Sequence, residues 1–129
     1  MVGQVRRAQP EQAIHVAVLD YLRMVLPGAL PSHSPNEFAG SGPEIARQMA
    51  KHRWMGTCKG WPDLEVALPG GMMLFFEVKS SKGRLTDDQA AVIDKLDAMG
   101  HLVAVVRSVD DVRRALKAWG VPTKERHVS

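Results

Sequence analysis

Apolar residues recur at two different periods along this chain, and the changes of period divide it into elements. Ile14, Ala17, Val18, Tyr21, Leu22 and Val25 repeat at three- and four-residue spacing, which predicts an amphipathic helix with one apolar stripe. Pro10–Glu11 suits its first turn and Pro27–Gly28 its end. From Gly28 to Gly42 no period holds, and Pro, Ser, Gly and Asn dominate. That stretch reads as an irregular loop, long enough for a compact domain to suggest function or motion. Glu44 to Trp54 follows as a second helix, with Ile45, Met49 and Arg53 on one side.

The period then changes to that of strands. Asp63–Leu68 and Met72–Lys79 read as a hairpin folded back antiparallel at Pro69–Gly70–Gly71. Met72–Phe76 is apolar on both faces, so it belongs in the middle of a covered sheet. Thr86 with Gln89 three residues on is a capping-box signature for a third helix. Its inward face is Gln89, Val92, Ile93 and Leu96, and Gly100 ends it. Leu102–Val106 is a short continuous apolar run, expected as a buried strand parallel to its neighbour. Ser108 opens a last helix whose inward residues are Val109, Val112, Leu116 and Trp119. The pattern predicts an α/β fold, a small mixed sheet with helices on both faces.

Composition narrows this only slightly. At 129 residues the chain is expected to be one domain, 1–129, with loose ends at 1–9 and 122–129. Seventeen Lys and Arg against fourteen Asp and Glu leave a formal charge of +3, which suits a polyanionic partner without requiring one. Cys58 is the sole cysteine, so no internal disulfide can form, and the five scattered histidines lack zinc-site spacing. The first ten residues have no apolar signal-peptide core, and no apolar run reaches membrane-spanning length. A cytoplasmic protein with no membrane partner is expected.

The chemistry concentrates at the hairpin. Glu77 and Lys79 are two residues apart, so on a strand they share a face, and Asp63 opens the strand that pairs with theirs. Two acids can hold a divalent metal, and an ammonium beside them can act on a water or on developing negative charge. The backbone carbonyl of Val78 could add a third oxygen. Asp63 could instead merely start a strand, and Glu77 with Lys79 could be an exposed ion pair. The strongly apolar approach to Glu77 argues against that, because buried strands rarely carry charge without purpose. Asp63–x–Glu65 is a competing acid pair, with Glu65 better read as outward edge charge. Glu11 sits at the N-terminal edge of the first helix, where it either complements the helix dipole or reaches the metal. Lys51–Trp54 and Lys59 bring basic charge just ahead of Asp63. There a phosphate contact is the better reading than a solvated face.

These residues carry a resemblance. Asp63, Glu77 and Lys79 spell the PD…ExK signature of metal-dependent nucleases. The order Glu11, then His33–Ser34–Pro35–Asn36–Glu37, Met55–Leu64, Glu77–Val78–Lys79 and Gly83–Gln89 resembles the VRR-NUC family of that superfamily, over Glu11 to about Trp119. Lys51–Trp54 fits no part of the family pattern. The resemblance implies a restriction-endonuclease-like fold, dependence on Mg²⁺ or Mn²⁺, and cleavage of phosphodiesters in structured DNA. It implies an active site of Glu11, Asp63, Glu77, Lys79 and Gln89, with Glu11, Asp63, Glu77 and the Val78 carbonyl on the metal. Asn36, Arg53, Lys59, Lys82 and Arg84 are the expected DNA contacts. Chains made of this domain alone resemble phage and prophage enzymes that act as homodimers on four-way (Holliday) junctions, in the cytoplasm of bacteria or infected hosts. Members appended to larger repair proteins cut flaps or crosslink-associated substrates. Three other readings stay open: a nuclease fold that only binds nucleic acid, a flap or single-strand nuclease, and a sequence-specific restriction-type enzyme.

Overall fold

In a computed structural model, residues 10–34 and 42–125 are described; Asn36, one of the expected DNA contacts, lies outside them. Proline at position 10 precedes helix α1, Glu11–Val25, which buries Ile14, Val18, Tyr21, Leu22 and Val25 along one stripe. The chain then does what the pattern did not announce. Leu30–His33 forms strand β1, antiparallel to β2 (Leu64–Ala67), with Leu30 opposite Ala67 and His33 opposite Leu64. Its sequence, Leu-Pro-Ser-His, has no alternation and includes a proline, which strands tolerate at an edge. The strand exists because β2 offers it partners, so the region expected to be loop throughout is in part the sheet's border.

Helix α2 runs Pro43–Trp54 with proline at its start, and buries none of its residues. Strands β2 and β3 (Met73–Val78) form the expected hairpin. Its tight turn uses Gly70 and Gly71, both at positive φ, a conformation glycine adopts without strain. Helix α3, Asp87–Ala98, begins at the Thr86–Gln89 capping box. It returns the chain to β4, Leu102–Val106, parallel to β3. Ser108 caps α4, Val109–Ala118, by accepting from the Asp111 amide. The sheet order is β1-β2-β3-β4.

The two faces of the sheet are buried unequally. Leu64, Val66, Leu74, Phe76, Val78 and Val106 point to one side and merge with the stripes of α1 and α4 into the main core. Phe76 also meets Trp119 at 5.5 Å between ring centroids. Phe75 and Leu96 are buried outside that core, and Phe75 is flanked edge-on by Trp61 and His101. Of the α3 face expected to point inward, only Leu96 is fully buried. The tail, expected to be loose from 122, is tied down as far as Glu125. The Lys124 amide donates to the Val25 carbonyl, and Glu125 pairs with Arg113 at 2.8 Å.

Candidate active site

Strand pairing brings the acids together. The β2–β3 ladder ends at Leu64 opposite Phe76, so Asp63 and Glu77 are the next pair along. The Val78 amide donates to Asp63 Oδ2 at 2.8 Å, which locks the Asp63 carboxylate against β3. Asp63, Glu77 and Lys79 are the buried charged residues among those described, with Glu77 at 0% exposure. Neither Glu77 oxygen accepts from a protein donor, the group within hydrogen-bonding reach being the Asp63 carboxyl, and the Lys79 ammonium stands 3.9 Å from Oε2, an ion pair too long to be a good hydrogen bond. Burial foremost, then the adjoining Asp63 carboxyl, pushes the Glu77 carboxyl up to about 9. Lys79 opposes that rise, and Glu11 adds to it.

Glu11 reaches the same place from another element. A cleft of about 490 Å³ is lined by Glu11, Gln12, His15, His33 and Asp63, among others. His15 lies one helical turn beyond Glu11, and its ring meets that of His33 edge-on at 4.8 Å. Neither histidine was singled out in the sequence as a site residue. The i,i+4 relation of Glu11 to His15 was readable, but the approach of His33 depends on β1.

The donor set suits a small hard cation. Two carboxylates face each other, and one has both oxygens buried and unpartnered. Among the described residues no three His, Cys, Asp or Glu side chains group into a ready-made cage. Magnesium does not need one, because it is commonly held by one or two carboxylates with waters and substrate phosphates.

The family model for the VRR-NUC domain matches residues 8–110. The chain belongs to the VRR-NUC family. A solved structure described as a VRR_NUC domain protein shares the fold, with a TM-score of 0.63 and 21% identity over 86% of this chain and 88% of that one. No curated protein matches. VRR-NUC membership makes this a nuclease-fold, DNA-processing domain. The restriction-endonuclease-like architecture expected from the resemblance is the one observed. No helix among the described residues is long and apolar enough to cross a membrane.

Other parts of the VRR-NUC pattern act as supports. Gly60 has φ +90°, and a Cβ there would lie 2.6 Å from the Asp88 backbone. Only glycine lets the segment leading to Asp63 pass this close to the start of α3. The Lys59 ammonium reaches Asp88 at 3.2 Å across the same seam. Trp61 donates to Glu65, so Glu65 serves its neighbour rather than the acid cluster. Gln89 completes the capping box, its Oε1 accepting from the Thr86 amide at 2.9 Å, and it does not line the Asp63 cleft. Arg107, unread in the sequence, donates from one guanidinium nitrogen to the Ser80 and Gly83 carbonyls, each at 2.6 Å. It thereby fixes the loop that presents Lys82 and Arg84, both exposed. Arg53 is exposed on α2, away from any strand.

Proposed function

We propose that this VRR-NUC chain is a metal-dependent endonuclease that hydrolyses phosphodiester bonds in branched or otherwise structured DNA. One observation carries the reading: Glu77 is a fully buried carboxylate with no donor on either oxygen, set between Asp63 and Lys79. Ionised, such a group is costly to bury unless a charge meets it; without metal it keeps its proton up to about pH 9, and a divalent cation is the partner that would replace that proton. Asp63, Glu77 and the Val78 carbonyl would hold Mg²⁺ or Mn²⁺, with Glu11 completing the ligand set from α1. A cation bound there supplies water activation and neutralises charge on the phosphate. Lys79, beside Glu77, orients the attacking water and stabilises negative charge on the phosphate oxygens as the water oxygen bonds to phosphorus. The ester P–O bond breaks, leaving a phosphate on one end and a hydroxyl on the other. Gln89, whose oxygen is held by the cap, has its amide N–H groups to offer a substrate oxygen.

Arg53, Lys59, Lys82 and Arg84, with Asn36, contact the DNA backbone in this reading. A homodimer supplies the two centres that paired cuts in a four-way junction require. The test is cleavage of flap, splayed-arm, hairpin and four-way-junction DNAs with Mg²⁺, Mn²⁺ or EDTA, alongside light scattering and nick mapping. Metal-dependent cutting with symmetric nicks on the junction supports the full reading. Cutting of a single strand by a strictly monomeric protein removes the resolvase part, and no cutting in any metal leaves only a DNA-binding domain.

A further inference from the structure

Among the described residues helix α2 stands apart from the other helices and strands, with Ile45 and Met49 half-buried and the remaining charged and aromatic side chains exposed. It buries no residue fully and packs against no other helix or strand of the described residues. A free helix of twelve residues, roughly 18 Å long, is marginal in water, so such an arm suits a partner outside the chain. Arg47, Lys51 and Trp54 fall at i, i+4 and i+7, which puts two cations and an indole in one stripe. Ile45 and Met49 take the opposite side. Trp54 is 83% exposed, and Met55 beside it is 68% exposed.

Charge says what the partner is. Residues 44–59 hold Arg47, Lys51, Arg53 and Lys59 against Glu44 alone, a net of +3. That equals the formal charge of the whole chain, because the remaining residues carry thirteen cations and thirteen acids. Lys59 of that set is answered by Asp88 at 3.2 Å, so helix α2 itself, with Arg47, Lys51 and Arg53 against Glu44, carries +2. Arg47 is held by Glu44 at 2.6 Å in an exposed pair, a weak link that a phosphate can displace. A stripe of cations ending in a bare aromatic ring matches a nucleic-acid strand, whose phosphates take the cations and whose unpaired base stacks on the ring.

We infer that α2 is a DNA-gripping arm in which Arg47 and Lys51 contact phosphates and Trp54 stacks on an unpaired base. The inference rests on the nuclease reading above and narrows its substrate to DNA with unpaired bases at a fork or junction. The arm is tested by binding in EDTA, which separates it from cleavage. A forked DNA and a blunt duplex of equal length are titrated, with 2-aminopurine at the unpaired position as reporter. Trp54→Ala weakens fork binding about tenfold or more, the size expected for one lost base–aromatic stack, and abolishes the 2-aminopurine quenching. It changes duplex binding less than about twofold, and Trp54→Phe restores most of the loss. Arg47→Gln with Lys51→Gln weakens both DNAs and lowers the slope of log affinity against log salt by about 1.8. Fork binding unchanged in Trp54→Ala overturns the inference, as does a Trp54→Ala protein that loses a dimer, since the occupant would then be a second copy. Wild-type protein that binds neither DNA in EDTA also overturns the inference, while the nuclease reading is decided separately by cleavage in Mg²⁺ or Mn²⁺.

Discussion

The hairpin site and the α2 arm use the same kinds of residue under opposite conditions. Asp63, Glu77 and Lys79 are buried, so each charge must be answered by a specific neighbour, and a small change in that neighbourhood is expensive. Arg47, Lys51 and Arg53 are exposed, screened by water and salt, and each contributes little to the fold. Buried charge concentrates chemistry at a point, whereas exposed charge spreads attraction over a surface. Substitutions should therefore separate cleanly into those that stop cleavage and those that only weaken binding.

The largest effects belong to the buried set. Asp63→Ala and Glu77→Ala should each reduce cleavage below detection, and Lys79→Ala about 10²–10³-fold, the size seen when one charge-stabilising donor is removed. Circular dichroism should report a native fold in all three, and chelation of the wild-type protein should match the loss. Undiminished cutting by folded Asp63→Ala would erase the contrast between the two regions.

Next comes Gly60→Ala. Its new Cβ meets backbone rather than a flexible side chain, at a φ that disfavours any other residue. A loss of about 1–3 kcal/mol in urea unfolding is expected, with cleavage falling alongside. A variant as stable as the parent would mean that the Gly60 segment and α3 part easily.

Glu77→Gln should stabilise the metal-free protein. The folded state holds the Glu77 proton up to about pH 9, while the unfolded chain releases it near the ordinary value of 4.5. The unfolded state therefore binds fewer protons across that window, and metal-free stability falls as pH rises through it. Thermal melts in EDTA at pH 8 should show Glu77→Gln above wild type by at least about 3 °C, roughly the shift 1 kcal/mol gives a domain of this size. Melts of wild type at pH 5 and pH 8 should differ in the same sense. A variant that melts lower would mean that the buried carboxylate is not a source of instability.

The smallest effect on the fold comes from the arm. Arg53→Gln should change unfolding free energy by less than about 0.5 kcal/mol yet lower the salt slope of DNA binding by about 0.9. An unchanged slope would remove Arg53 from the binding surface.

How much of this was legible depends on the range of the forces involved. Glu77 and Lys79 could be read because a strand's period of two is local and an apolar run declares its own burial. The Thr86–Gln89 box and the α1 stripe were legible for the same reason. Strand β1 was hidden because Leu30–His33 has no strand pattern of its own and borrows its order from β2. That α2 buries no residue fully was hidden as well, since helical spacing assigns Ile45 and Met49 to a side but cannot say how far that side is covered. The motif included Gly60, but its reason is a backbone 28 residues later in the chain. His33 joins the cleft only once β1 is in place.

The two carbonyl bonds of Arg107 bear on the cost of gripping DNA. A guanidinium presents its donors in a rigid planar fork, so the loop carrying Lys82 and Arg84 hangs from the end of β4 by two bonds to one side chain. Its backbone disorder is lost when the protein folds, not when DNA arrives. Preorganisation of that kind leaves more of each phosphate contact to appear as affinity. It also ties the loop to the end of strand β3 and Lys79, so in the proposed function a DNA strand drawn onto Lys82 and Arg84 would be drawn toward Asp63 and Glu77 in the same movement.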